Sequence, residues 1–327
     1  MRILFYGTKP YDRIWFEPMA KDYGYEITFL EVQCTKETVF LARGYDAICI
    51  FINDTVDAGM IDCLHRDKVK AILLRSAGFN HVDIRAAKEK IKILRVPSYS
   101  PQAVTEYAMA MLLTVNRFTH RAYTRTREFN MSINGLMGQD LYHKCAGIIG
   151  TGKIGQAMID ICRGFGMHIV AYDPFPNESL GVEYLPLPEL LSRADVISLH
   201  CPLTNDTRYI INEETISYMK PGVLLVNTSR GMLIDSGALI EGLLSGKLAG
   251  VGLDVYEEED GLFYEDRSSE IIEDGVLARL MTFPNVLITS HMGFFTKEAM
   301  QAIAIETLEN AYMLEHGMPL INEVVAK

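Results

Sequence analysis

Between residues 145 and 290 the sequence repeats one arrangement: a short run that is apolar at nearly every position, then a stretch of helical period. The runs AGIIG, HIVAY, DVISLH, GVLLVN, LAGVGLD and NVLITS are each five to seven residues long, the length of a strand. A strand with one solvated face alternates apolar and polar side chains, whereas one that is apolar throughout is covered on both faces. Interleaved with PLPELLSRA, INEETISYM and SGALIEGLLSG, these runs predict a doubly wound α/β domain with a parallel sheet. Residues 1–100 carry a second, smaller series, RILFY, ITFLEV, AICIFI, KAILL and IKILRV, with helical patterns such as KETVFLARG and MIDCLHR between them. At 327 residues the chain is longer than one core ordinarily serves, and two parallel-sheet units account for it.

The junction is VPSYSPQAV, where two prolines break the pattern. The run that follows, AVTEYAMAMLLTVNRFTHRAYTRTRE, predicts one long helix over about 103–128, apolar enough to be buried between domains. A last amphipathic helix, TKEAMQAIAIETLENAYMLEHG, lies beyond the final strand of the second unit and is expected to carry the chain back to the first. The expected domains are therefore 1–100 plus 299–327, and 101–298.

A net charge of −11 argues against nucleic acid or an anionic membrane as partner, since both would be repelled. No apolar run approaches the roughly 20 residues of a membrane span. The start, MRILFYGTKPYDR, lacks the apolar core of a secretory signal. Cys34, Cys49, Cys63, Cys145, Cys162 and Cys201 are scattered without paired spacing. They read as reduced thiols of a cytoplasmic protein, with no metal site.

One loop of the second unit is rich in glycine. In GIIGTGKIGQAMIDICRGFGMHIVAYD, Gly150, Gly152 and Gly155 follow a strand and open a helix expected over 153–165. Glycine costs a helix roughly 1 kcal/mol against alanine, so bare backbone must be needed there. Gly150 permits the tight turn, Gly152 admits a pyrophosphate to the helix N-terminus, and Gly155 allows close helix–sheet contact. Lys153 and Ile154 complete the loop. Asp173 ends the next strand, 18 residues after Gly155, where it accepts ribose hydroxyls and repels a 2′-phosphate. The motif points to NAD rather than NADP.

Arg230 lies just beyond VLLVN, the glutamates of VYEEE just beyond AGVGLD, and His291 directly after NVLITS. In a parallel sheet all three positions fall on the carboxyl edge, as does the glycine loop. A guanidinium suits a substrate carboxylate, an imidazole handles a hydroxyl proton, and a carboxylate beside the imidazole favours its charged form. That set suits oxidoreduction of a small 2-hydroxy acid. Spacing alone does not choose among Glu257, Glu258 and Glu259. His200 in SLHCP also follows a strand and is expected to border the cofactor.

Together GTGKIGQ, SLHCPLT, VNTSRGMLIDS, LDVYEEE and ITSHMGFFT resemble the D-2-hydroxyacid dehydrogenases. LRSAGFNHVDI and RVPSYSPQAVTEYA bring the likeness closest to their NAD-dependent bacterial D-lactate members, over essentially the whole chain. The resemblance implies two Rossmann-like domains, a flavodoxin-like substrate-binding domain and a larger NAD-binding one. It implies a catalytic trio of Arg230, Glu259 and His291, and so singles out the third glutamate. It implies that the backbone N–H groups of Ala77 and Gly78 bind the substrate carboxylate beside Arg230. Asp254 would lie near the nicotinamide and tune the His–Glu pair. Cys201, Pro202, Thr207, Thr228 and Ser229 would line the NAD cleft, mainly through backbone.

The implied reaction is the reversible reduction of pyruvate to D-lactate, with larger branched or aromatic 2-oxo acids as the alternative. An NAD-sensing scaffold is the reading from another class; the trio argues against it, since a binder needs no proton donor. Phe51, where other branches carry Tyr, is expected against the substrate's C3 side with Tyr99 and with Phe294 or Phe295. Met292 and Gly293 stand where lactate-type relatives commonly carry a polar residue and Ala, and Gly293 is expected to leave room beside the reacting carbon. A homodimer or tetramer is expected, because 103–128 offers more apolar surface than its own domain covers.

Overall fold

The computed structural model describes residues 1–259 and 261–326. The chain divides into two compact units, Met1–Ser100 with Phe295–Lys327, and Pro101–Phe294. The return to the first unit thus falls at Phe295, ahead of position 299.

The first unit is built on five parallel strands: β1 (Arg2–Phe5), β2 (Glu26–Phe29), β3 (Ala47–Ile50), β4 (Ala71–Leu74) and β5 (Lys92–Arg95). Their order is β2-β1-β3-β4-β5, the flavodoxin-like arrangement. β3 and β4 are buried at every position, as strands with helices on both sides must be. The last helix, Lys297–Glu315, packs on β4, β5 and the helix Pro10–Asp22, so it does return to this unit. Beyond it, Leu94 pairs antiparallel with Glu323, covering the β5 edge that would otherwise stay unpaired. KETVFLARG is not a full helix: only a single 3-10 turn, Val39–Ala42, forms. The Thr38 hydroxyl accepts from the Thr35 N–H at 2.8 Å and donates to the Gln33 carbonyl at 2.6 Å, a local turn that competes with helix.

Seven parallel strands form the second unit: β6 (Cys145–Ile149), β7 (His168–Tyr172), β8 (Glu183–Tyr184), β9 (Val196–Leu199), β10 (Val223–Asn227), β11 (Leu248–Leu253) and β12 (Val286–Ile288). The order β12-β11-β10-β9-β6-β7-β8 is doubly wound, with its reversal between β6 and β9. β8, two residues at the sheet edge, is too short to leave a periodic signal.

The expected single helix over 103–128 is two helices, Pro101–Arg117 and Thr119–Arg127, separated by Phe118 at φ +53°. The first buries Ala108, Met109, Met111, Leu112 and Val115 against β10, β11 and the helix Lys153–Gly164; the second buries nothing. The break falls where the apolar face runs out. The first helix is therefore covered by its own domain, contrary to expectation. Among the described residues no helix is long and apolar enough to cross a membrane, and all six cysteines are free.

Candidate active site

The glycine loop joins β6 to the helix Lys153–Gly164 at the point where the strand order reverses. Gly150 adopts φ +91°, and a Cβ there would lie 2.6 Å from the backbone of His200 and Cys201. A Cβ on Gly155 would lie 2.0 Å from the Gly150 carbonyl oxygen. Both are glycine because the protein's own backbone fills the space. Gly152, the N-cap, is different: a Cβ on it would meet nothing within 4 Å. Its bareness leaves room for a ligand at a helix N-terminus, where anions are favoured.

Asp173 lies beside this loop. Its Oδ2 accepts from the Thr151 N–H at 2.7 Å and its Oδ1 from the Phe175 N–H at 2.9 Å, which holds a half-buried carboxylate in place. Lys153 is exposed and Ile154 half-buried. Cys201 is buried, and burial pushes its thiol up to about 11, so it is a packing residue. Pro202 is exposed, and the Thr207 hydroxyl donates to its carbonyl at 2.6 Å, closing the turn. Ser229 donates to the Leu199 carbonyl at 2.9 Å. Among the described residues, neither the buried Thr228 hydroxyl, just past β10, nor the buried His200 Nδ1, just past β9, has a hydrogen-bond partner. Burial pushes the His200 imidazole down to about 4, while its Nε2 faces the Ser198 hydroxyl at 2.8 Å.

Further along the same sheet edge stand Arg230, Glu259 and His291. Arg230 follows β10 in a turn tied by the buried Asn227, whose amide donates to the Arg230 carbonyl at 2.8 Å. Its guanidinium donates to the Ser229 carbonyl at 2.6 Å, and among the described residues no carboxylate pairs with it. Next in the chain, Gly231 packs so closely that a Cβ would lie 1.9 Å from the Tyr256 carbonyl oxygen. That contact seats the arginine turn against the loop that carries Glu259. Glu259 Oε2 accepts from the Tyr256 N–H at 3.0 Å, which leaves Oε1 for His291 Nδ1 at 2.8 Å. Nε2 of the same imidazole has no hydrogen bond within the described residues.

His291 sits at φ +53°, a left-handed conformation that costs a non-glycine residue about 1–2 kcal/mol. Asp254 holds it there. Its carbonyl accepts from the His291 N–H at 2.7 Å. Its carboxylate accepts from the Thr289 hydroxyl at 2.6 Å, the Met292 N–H at 2.9 Å and the Gly293 N–H at 2.7 Å. Burial pushes this carboxyl up, while those three donors pull it back. Asp254 is 1 % exposed, and its carboxylate supports the histidine loop. Gly293 is also not the gap expected. A Cβ there would lie 3.0 Å from Asp254 Oδ2 and 3.5 Å from the Tyr107 ring, inside the domain.

In the first unit, the backbone N–H groups of Ala77 and Gly78 donate to no atom of the described residues. The Ala77 carbonyl accepts from Arg95 and the Gly78 carbonyl from Ser76, so the turn is held with its donors unspent. Phe51 lies 4.9 Å from the guanidinium of Arg75, a buried cation that also donates to the Tyr6 and Gly7 carbonyls. Tyr99 is half-buried. Phe294 is buried, whereas Phe295 is 43 % exposed and packs edge-on against Tyr11 at 4.8 Å. Sequence reasoning missed Tyr11, Arg75 and Asn227. Arg75 stands just past β4 and Asn227 closes the apolar strand β10, so position was the available signal for these two; Tyr11 lies in the first turn of the helix Pro10–Asp22, where nothing local marks it.

Comparison with known proteins decides the family. The profile described as "D-isomer specific 2-hydroxyacid dehydrogenase, NAD binding domain" matches residues 109–293. The chain belongs to the D-isomer-specific 2-hydroxyacid dehydrogenases. This dehydrogenase is 48 % identical to the D-lactate dehydrogenase of Escherichia coli, over 99 % of this chain and 100 % of that one. Its fold superposes on the apo-structure of that enzyme with a TM-score of 0.91, at 46 % identity over 99 % of this chain and 100 % of the other. It also superposes on the pyruvate reductase of Chlamydomonas reinhardtii with a TM-score of 0.93, at 42 % identity over 98 % of each. The dehydrogenase takes NAD as its cofactor, and the site fits: an unfilled Cβ position at Gly152, a fixed carboxylate at Asp173 and an unpartnered buried hydroxyl at Thr228.

Proposed function

We propose that this oxidoreductase is an NAD-dependent D-lactate dehydrogenase that interconverts pyruvate and D-lactate. One observation carries the reading. The Glu259–His291 pair leaves Nε2 open, on the sheet edge where Arg230 has no carboxylate partner among the described residues. Names borne by similar proteins, a D-lactate dehydrogenase and a pyruvate reductase, point the same way.

In this reading Arg230 takes the substrate carboxylate, together with the N–H groups of Ala77 and Gly78, and steadies charge growing on the adjacent carbonyl oxygen. His291 Nε2 gives that oxygen its proton as it becomes a hydroxyl. Glu259 fixes the ring through Nδ1 and stabilises the imidazolium. The Gly152 turn would hold the pyrophosphate, Asp173 the adenosine ribose and Thr228 a further polar edge of NAD. When bound, NADH supplies the hydride. Phe51, Tyr99 and Phe295 form apolar walls for a methyl group. The deciding experiment follows NADH absorbance with pyruvate, 2-oxobutyrate, 2-oxoisocaproate and phenylpyruvate, with chiral analysis of the product. Highest kcat/KM with pyruvate and a D-product supports the assignment; preference for phenylpyruvate or 2-oxoisocaproate replaces lactate by a larger 2-hydroxy acid.

Two further properties belong to this reading. A 2′-phosphate beside the fixed Asp173 carboxylate would place like charges together, at a cost of several kcal/mol. NADH should therefore exceed NADPH in kcat/KM by roughly 100-fold or more, and equal efficiency would contradict this role of Asp173.

The second is assembly. Tyr123, Phe129, Met131, Ile133 and Met137 are between 63 % and 91 % exposed in one stretch of the second unit. Exposed apolar side chains so concentrated suit a two-fold partner, and we place the homo-oligomer contact there, in a dimer or tetramer. Light scattering should give a multiple of 36.8 kDa, and the protomer mass itself would overturn the assignment. The free thiols of all six cysteines accord with a cytoplasmic enzyme.

A further inference from the structure

We propose that Tyr264 is a positioning residue for His291, a tie across the two loops that carry the acid–imidazole pair. The proposal rests on His291 as the proton donor. His291 is held in its left-handed conformation from the N–H side by the Asp254 carbonyl, at 2.7 Å. On the other side, the hydroxyl of Tyr264 donates to the His291 carbonyl at 2.8 Å. The two rings are 6.3 Å apart and inclined at 31°, so the phenol reaches past the imidazole to the backbone beneath it.

The base of Tyr264 is fixed as well. The N–H groups of Leu262 and Phe263 both donate to the Glu259 carbonyl at 3.1 Å, and Tyr264 follows directly at φ +68°. The phenol therefore springs from a turn hydrogen-bonded to the backbone of Glu259 and ends on the backbone of His291. Without it, the hydrogen-bonded contact between the Glu259 and His291 side chains carries more of the register between the loops. Asp254 holds this loop through other atoms, the Thr289 hydroxyl and the N–H groups of His291, Met292 and Gly293. A displacement of a few tenths of an ångström at His291 moves the proton away from the substrate oxygen without touching the glycine turn or Asp173. Turnover, rather than cofactor binding, is the quantity this residue controls.

Tyr264→Phe removes the hydroxyl and keeps the ring. The variant is expected to lose roughly 3- to 10-fold in kcat for pyruvate reduction, the size of one net hydrogen bond. NADH affinity by fluorescence titration and KM for pyruvate should stay within about twofold, and the solvent deuterium isotope effect should rise as proton transfer becomes more limiting. In a double-mutant cycle with His291→Gln, the loss from Tyr264→Phe should vanish, because the donor it positions is gone. Parental kcat in Tyr264→Phe, a loss of NADH affinity that matches the loss of kcat, or additive losses in the cycle would each overturn the proposal. Should His291→Gln alone keep most of the turnover, the proton-donor reading fails and takes this proposal with it. A collapse in His291→Gln with an unaffected Tyr264→Phe removes the Tyr264 role only.

Discussion

Replacing His291 by glutamine is expected to lower kcat for pyruvate reduction by about 10²–10⁴-fold, the usual contribution of a placed general acid. Glutamine has similar length and can still hydrogen-bond Glu259, so the loop between Asp254 and Tyr264 keeps its ties. What it cannot do is deliver a proton from the position of Nε2. NADH affinity should change by no more than about twofold, because the glycine turn and Asp173 lie on other strands of the sheet. A fluorescence titration with NADH and single-turnover kinetics with pyruvate measure the two quantities separately. Less than tenfold loss in the chemical step would mean that another group carries the proton. Loss of NADH binding in parallel would mean that the substitution damages the domain.

Alanine at Gly152 and alanine at Gly155 should fail in opposite ways. At Gly152 a Cβ meets no protein atom within 4 Å, so folding is nearly indifferent to it, with at most about 1 kcal/mol lost at the cap. A bound pyrophosphate would meet that methyl group. Loss of one charge-assisted hydrogen bond to phosphate raises the NADH dissociation constant roughly 10- to 150-fold. At Gly155 the Cβ would lie 2.0 Å from a backbone oxygen that cannot turn aside, so the helix Lys153–Gly164 must move from the sheet. Overpacking of this kind costs about 1–3 kcal/mol or more, and the thermal midpoint should fall with the affinity. Thermal unfolding and NADH titration of the two variants test the distinction. A stable Gly152→Ala that binds NADH like the parent would remove the pyrophosphate from this turn.

The placement of the candidate residues of the second unit was legible because they stand beyond strand ends, and strands that are apolar throughout announce themselves. Arg230, Glu259 and His291 are 61 positions apart from first to last, yet each follows its own strand in a sheet whose strands all run one way. Position in the repeat therefore brought them to one edge. Which glutamate of the three-residue run faces the imidazole was not legible from period or charge. That depends on the Tyr256 N–H holding one oxygen of Glu259 while the other meets Nδ1.

The helix break at Phe118 illustrates the other limit. Helix-forming residues continue through 119–127, and only the disappearance of a surface to pack against ends the first helix. The same holds for Gly293. In the sequence it is a missing methyl group next to a candidate catalytic residue, and that suggests a roomier pocket. In the fold its vacant Cβ position faces the Asp254 carboxylate, so the gap belongs to the domain interior.

The sequence by itself determined the two parallel sheets, the glycine turn with its acid, and the edge on which the reactive groups gather, because period, apolar runs and strand ends are local properties. Only the tertiary structure decided what holds those groups: Asp254 folded beneath His291, and Tyr264 across two loops. Such ties join residues tens of positions apart through hydrogen bonds between side chain and backbone, and no local pattern records which donor a distant carbonyl will meet.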